Sequence, residues 1–428
     1  MKVLPAFRVQ WPLAGFLLTG FLTACSLPNV TPGKTGGSHA FIDYWPPPPN
    51  SKVVRLAVKD LIDMKGIVTT AGSKYIAKNY PPAKRDAKCL EIARERKVQI
   101  VGKTNLTEFA MTWSGVNDYF GTPRNPISKK HKLIPGGSSS GAAVAVASGL
   151  ADISFGTDTA GSIRLPAACC GILGLKTTYG LISLQGVYPI SPEHLDSVGP
   201  MAKDMPHLVE GMDLLKRGFS AEYHQAMAAR RPPGEIRIGR LYLDGTDPAI
   251  DRALDDALAA RHFRIVRLND AFKTKWAQAQ KEGRIMALAD AWRYDQKYIL
   301  KTGVESTTQS IIIPGKPAYD NYYAEALKSQ NEWRRALRET FQRVDFIALP
   351  TMQTTPPRLP ILSDSVLYEL SVLAIQNTEA VNFAGNPALA LPIPIQGKDV
   401  PVTSLQLVGP KLSEAKLLAA GQLFETVR

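Results

Sequence analysis

Pro135-Gly-Gly-Ser-Ser-Ser-Gly-Ala-Ala143, followed by Gly156-Thr-Asp-Thr-Ala-Gly-Ser-Ile-Arg-Leu-Pro-Ala167, is the stretch on which the reading of this chain turns. Glycines beside small hydroxyl residues let the backbone turn tightly and aim N–H groups at a substrate oxygen. Either loop alone is compatible with a phosphate cradle or a plain turn. Neither has the GxxxxGK[ST] spacing of a P-loop, which argues against nucleotide binding. Gly137-Ser-Ser-Ser-Gly141 is a formal GxSxG match centred on Ser139. A nucleophile elbow follows a strand, however, and here the preceding segment ends in Pro135, so that match is weak.

Outward from these loops the pattern alternates between strands and helices. Arg55-Leu-Ala-Val-Lys-Asp60 reads as a strand ending in a loop, and Val98-Gln-Ile-Val101 as a second short strand. Between them, Cys89, Ile92 and Ala93 fall at helical spacing, and the alanine-rich segment 141–150 reads as a buried helix. Such alternation predicts an α/β fold on a largely parallel or mixed sheet. Residues 214–345 are more helical and polar and carry no motif. The 45% hydrophobic and 21% charged composition is that of a globular chain. The net charge of +13 comes from scattered Lys and Arg, with no basic stripe interleaved with aromatics, so no nucleic-acid partner is expected. Six histidines with no HExxH and no paired CxxC give no metal site. Cys89, Cys169 and Cys170 read as buried small hydrophobes.

The N-terminus carries a different signal. Lys2 and Arg8 precede an uncharged apolar run that ends in Leu22-Thr23-Ala24-Cys25, shorter than a membrane-spanning helix and suited to a secretory signal. The four residues resemble a bacterial lipobox, which implies cleavage before a lipid-modified Cys25; an ordinary signal peptide or a short anchor is the alternative. Gly/Ser-rich and proline-run composition makes the following segment a tether. The expected organisation is a signal peptide over 1–24, the lipidated cysteine and tether over 25–50, and one catalytic domain over 51–428. The expected location is the cell envelope, held by lipid on the outer membrane and facing the periplasm.

The two glycine–serine loops, with serines spaced as Ser138 and Ser162 are, closely resemble the core of the amidase signature family. The likeness extends through Ala57-Val-Lys-Asp60, Thr69-Thr-Ala-Gly-Ser73, Gly102-Lys-Thr-Asn105, Leu195-Asp-Ser-Val-Gly-Pro-Met201 and Asn382-Phe-Ala-Gly-Asn-Pro387. The resemblance implies a mixed β-sheet core covered by helices on both faces, and an amidase that cleaves carbon–nitrogen bonds without a cofactor. It also implies a Lys–Ser–Ser triad with a cis peptide before the bridging serine. By this resemblance Ser162 is the nucleophile, Ser138 the proton relay and Lys103, in Gly102-Lys-Thr-Asn105, the base. A serine hydroxyl needs a base, and a buried lysine can serve when desolvation leaves it neutral. Backbone N–H groups of Thr159, Ala160, Gly161 and Ser162 are expected to hold the oxyanion. Ala160 and Ser140 stand where the family often has glycine, and both are small enough for the loops to close. Asp158 and Arg164 are expected to brace the nucleophile loop.

The expected partners are a small-molecule amide substrate and, through Cys25, a membrane. Two further functions stay open: an amidotransferase A-type subunit that supplies ammonia to a partner enzyme acting on charged tRNA, and an anchored binding protein that kept the fold without catalysis. The export signal argues against the first, and the intact Lys103, Ser138 and Ser162 against the second.

Overall fold

The computed structural model describes residues 37–48, 51–127, 132–360 and 365–425. The segment 1–24 and Cys25 lie outside them.

Eleven strands form one mixed sheet: β1 (Phe41–Tyr44), β2 (Arg55–Lys59), β3 (Gln99–Thr104), β4 (Ile153–Asp158), β5 (Leu173–Lys176), β6 (Ser197–Ala202), β7 (Arg237–Arg240), β8 (Arg264–Arg267), β9 (Phe346–Pro350), β10 (Ala388–Pro394) and β11 (Val402–Val408). Their order across the sheet is β1-β3-β2-β4-β6-β5-β10-β11-β9-β7-β8. The pairs β2–β3, β2–β4, β7–β8 and β7–β9 are parallel, and the middle of the sheet, from β4 through β6, β5, β10 and β11 to β9, is antiparallel.

Central strands such as β9 and β10 read as apolar runs because both faces of the sheet are covered there. In β10, Leu389 and Leu391 enter the core beneath helices Met205–Leu215, Pro248–Ala259 and Glu414–Gly421. Their neighbours Ala388 and Ala390 serve the opposite face. On that face, helix Ser140–Ala147 presents Ala142 to Val146 to Ala57 and Met201. Small side chains on this helix bring its backbone close to the strands and to the loop ahead of β1. Gly141 shows how close: a Cβ there would lie 2.2 Å from the Ala40 carbonyl oxygen and 2.6 Å from the Asn105 backbone. Farther along the same face, helices Asp270–Asp295 and Gly315–Phe341 enclose Trp276, Trp333 and Phe383 over Ile347 and Leu349. These two helices account for the polar middle of the sequence.

The expected tether through residue 50 ends earlier. Phe41–Tyr44 is an edge strand paired with β3, and the Trp45 N–H donates to Val101 O at 2.7 Å. Its four residues lie between a glycine-rich run and a proline run, whose composition hides an apolar strand this short. The segment with Cys89, Ile92 and Ala93 at helical spacing is a 3₁₀ turn, Lys88–Leu90, followed by the short helix Glu91–Glu95.

Replacing Gly141 with alanine should destabilise the fold by about 1–3 kcal/mol, because the new methyl meets backbone that can yield only by moving β1 or the turn after β3. Chemical denaturation of the variant against wild type measures it.

Candidate active site

Lys59 is the last residue of β2 and has no exposed surface. Its Nζ lies 2.7 Å from Ser138 Oγ and 2.9 Å from Thr157 Oγ1. With no carboxylate paired to it among the described residues, burial pulls the ammonium pKa down to about 7, against the opposing pull of Asp158 and Asp196. A large fraction of Lys59 is therefore neutral at physiological pH.

Ser138 follows a cis peptide bond from Gly137, in the turn that leads into helix Ser140–Ala147. Two backbone N–H groups tie this turn down from the front: Gly136 donates to Ser114 O at 3.0 Å and Gly137 to Trp113 O at 2.7 Å. Behind it, Thr107 donates to the Ser138 carbonyl at 3.3 Å. Ser139, the centre of the GxSxG match, is buried as the N-cap residue of that helix, and its Oγ donates to Thr157 O. Its N–H donates to Ser162 O at 3.3 Å, which joins the two glycine–serine loops directly.

Ser162 lies just ahead of helix Arg164–Cys170 and keeps 8% of its surface exposed, whereas Lys59 and Ser138 keep none. Of the three, only Ser162 is open to a substrate. Asp158, at the end of β4, folds the nucleophile loop around its carboxylate. It accepts from the N–H groups of Gly161 at 2.8 Å and Ile163 at 3.1 Å, and from Arg164 Nη2 at 2.9 Å. Burial alone would raise this carboxyl, but the Arg164 guanidinium holds it well below the usual carboxylate range. Arg164 in turn donates to Gln406 Oε1, the Thr378 carbonyl and Asn382 Oδ1. Gly161 could be nothing larger: its φ is 137° and a Cβ would sit 2.2 Å from Thr378 Oγ1.

The structure corrects the expected base. Lys103 is fully buried, but its Nζ pairs with Asp60 Oδ1 at 2.9 Å and donates to Ile62 O at 2.5 Å, with no contact to Ser138. The reason is strand parity. The β2–β3 register sets Lys103 beside Val58 and Thr104 beside Lys59, so the two lysines leave the sheet on opposite faces. The signal for Lys59 was present in Ala57-Val-Lys-Asp60, a lysine that ends an apolar strand.

One of the expected oxyanion donors also changes. The Gly161 N–H is committed to Asp158, and the Thr159 hydroxyl donates to Asp196 Oδ1 at 2.6 Å. The N–H groups of Thr159, Ala160 and Ser162 have no acceptor among the described residues. The Ala160 carbonyl is held by the Thr378 hydroxyl at 2.5 Å. Asp196 also accepts from the Ile190 and Ser191 N–H groups, and burial still pushes its carboxyl up to about 6. A cavity of about 1450 Å³, bordered by Cys170, Arg252, Gln396 and Phe424, is lined by none of Lys59, Ser138 and Ser162.

A buried lysine against one serine, and a second serine on a clamped, partly open loop, define a class of protein built for acyl transfer on a mixed α/β sheet. This chain belongs to the amidase family, whose sequence profile matches residues 53–418. It is 32% identical over 409 residues to the A-type subunit of glutamyl-tRNA(Gln) amidotransferase from Halobacterium salinarum, covering 86% of this chain and 94% of that one. Among solved structures, the corresponding Thermotoga maritima protein of the same name superposes with a TM-score of 0.73 at 25% identity, over 90% of this chain and 86% of the other. A chain of an inhibitor-bound vestigial protein complex, described as revealing the evolutionary origins of an s-triazine catabolic enzyme, superposes with a TM-score of 0.75 at 26% identity, over 86% of this chain and 83% of the other.

The two lysines should separate by experiment. Lys103→Met leaves Asp60 buried without its partner and should cost about 3–5 kcal/mol of stability, read as a lower denaturation midpoint. The protein that remains folded should still bear a reactive Ser162, as measured by labelling with a serine-directed fluorophosphonate.

Proposed function

We propose that this chain cleaves a carbon–nitrogen amide bond through an acyl-enzyme on Ser162. The observation that carries the reading is the 2.7 Å contact between Lys59 Nζ and Ser138 Oγ, in a site where burial brings the lysine to about 7. Neutral Lys59 accepts the Ser138 proton while Ser138 accepts that of Ser162, and the freed Ser162 oxygen bonds to the amide carbon. The carbonyl oxygen turns toward the free N–H groups of Ala160 and Ser162. The proton returns by the same route to the nitrogen as the carbon–nitrogen bond breaks. Water, deprotonated along the same path, then releases the acid and regenerates Ser162.

A second reading is favoured by a specific observation, the 32% identity to an A-type amidotransferase subunit over 94% of that protein's length. On this reading the released ammonia passes to a partner protein. The apolar segment ending at Cys25 favours the free hydrolase, since an exported enzyme is separated from charged tRNA. The readings divide on one assay: the purified chain, without a partner, hydrolysing a panel of simple amides with release of ammonia or amine. Turnover supports the hydrolase. Ammonia release only on addition of a transferase partner supports the second reading.

The lipid anchor on Cys25 belongs to the same proposal. Labelling with a radioactive fatty acid should mark the wild-type protein and not Cys25→Ser, and unlabelled, soluble wild-type protein would leave only a signal peptide.

Ser162→Ala should abolish turnover, and Lys59→Ala should lower kcat by about 10²–10⁴-fold. The pH dependence follows from the sign of the Lys59 shift. The base works only when neutral, so kcat/KM should rise with pH through about 7 and level off above it. A flat profile between pH 6 and 8 would remove Lys59 from the proton path.

A further inference from the structure

Outside the two glycine–serine loops, one buried acid reaches the relay turn. Glu369 lies on helix Val366–Ala374 and is almost completely buried. Its Oε2 accepts from both the Trp113 N–H at 2.8 Å and the Ser114 N–H at 3.0 Å, and its Oε1 accepts from the Ser114 hydroxyl. The carbonyls of the same two residues are the acceptors for Gly137 and Gly136, the residues just ahead of Ser138. One carboxylate therefore fixes the Trp113–Ser114 peptide, whose carbonyl end holds Gly137, and grips the Ser114 side chain, whose own carbonyl holds Gly136.

Close backbone packing couples this turn to the segment that Glu369 holds. A Cβ on Gly115 would lie 2.7 Å from the Gly136 carbonyl oxygen, and one on Gly137 would lie 2.8 Å from the Thr112 carbonyl oxygen. Segment 112–115 and turn 136–138 are thus in backbone-to-backbone contact, and a shift of the first is transmitted to the second. The helix that carries Glu369 packs only lightly: Val372 and Leu373 are buried, while Leu367 is 81% and Leu370 46% exposed. A buried carboxylate on so thinly packed a helix needs its three donors, and those donors all lie in segment 112–115.

We infer that Glu369 is a positioning residue for the proton relay, holding Ser138 against Lys59 through residues Trp113 and Ser114. It touches neither substrate nor the reacting atoms. The inference rests on the proposed role of Ser138.

The test is the rate constant at which Ser162 in the full chain is labelled by a fluorophosphonate, a reaction in which Ser162 gives up its proton to the relay, bonds to phosphorus and expels fluoride. Each rate constant is divided by the folded fraction read from chemical denaturation, so a loss of stability alone does not register as slower labelling. Glu369→Ala should slow labelling by about 10²-fold, the size of a small displacement at a reacting group. Glu369→Gln keeps an oxygen for both N–H groups and an amide that can donate to the Ser114 hydroxyl, so it should stay within a few-fold of wild type. Glu369→Asp draws the oxygens back by one methylene and should fall between them, which gives a reading even if the alanine variant does not fold. A wild-type rate in the alanine or aspartate variant, or an equal loss in alanine and glutamine, would overturn the inference. Failure of wild-type protein to label at Ser162 would instead overturn the proposed function itself.

Discussion

The Asp158–Arg164 pair is the interaction on which the rest of the site depends. Both side chains are fully buried, and charges taken out of water cost several kcal/mol each unless every lone pair and proton is used. Here the carboxylate accepts from backbone and side chains of the nucleophile loop and from Asn382 Nδ2. The guanidinium reaches Gln406 on β11 and the Thr378 carbonyl ahead of helix Glu379–Ala384. The pair ties the end of β4, the nucleophile loop, a distant strand and a distant helix to one point. The loop conformation follows from Asp158 taking the N–H groups of Gly161 and Ile163, which leaves those of Thr159, Ala160 and Ser162 free.

This arrangement also separates electrostatic duties that one residue could not perform together. Asp158 stays ionised because Arg164 stands against it, so its charge is available to moderate the desolvation of Lys59. Lys103 has an acid of its own in Asp60, and serves the fold by crosslinking the turn after β2 to β3. Two lysines of equal burial thus differ in chemistry through their partners alone: one faces hydroxyls and the other a carboxylate.

Much of this was legible in the sequence for a physical reason. Glycine, serine and alanine at fixed spacing admit few backbone paths, so the buried helix after the first loop could be read from residues alone, whereas Ser138 and Ser162 are singled out by the resemblance to the amidase signature family. The α/β alternation was equally plain, because apolar strands such as Leu56–Val58 stand against periodic helices. What escaped depends on information that lies between segments. Lys59 and Lys103 both end or interrupt apolar strands, and only the strand register assigns them to opposite faces. The loss of Gly161 as an oxyanion donor requires knowing that Asp158 turns back on its own loop. Glu369 is more than two hundred residues from the peptides it holds, on a helix with no motif. The strand Phe41–Tyr44 was hidden by its flanks, since composition averages over windows longer than four residues.

That short strand bears on how copies of this protein meet one another. A sheet of eleven strands ends in two edges, and an open edge invites pairing with a neighbour in solution. At one end β1 is only four residues long, its register slips between Phe41 and Asp43, and prolines begin at Pro46. Proline supplies no ladder donor, so the outer side of β1 offers little to extend. At the other end, β8 exposes Arg264 and Arg267 on either side of an exposed Ile265. Two copies approaching edge to edge there would bring like charges together. The sheet is thus closed to growth by brevity at one margin and by repulsion at the other.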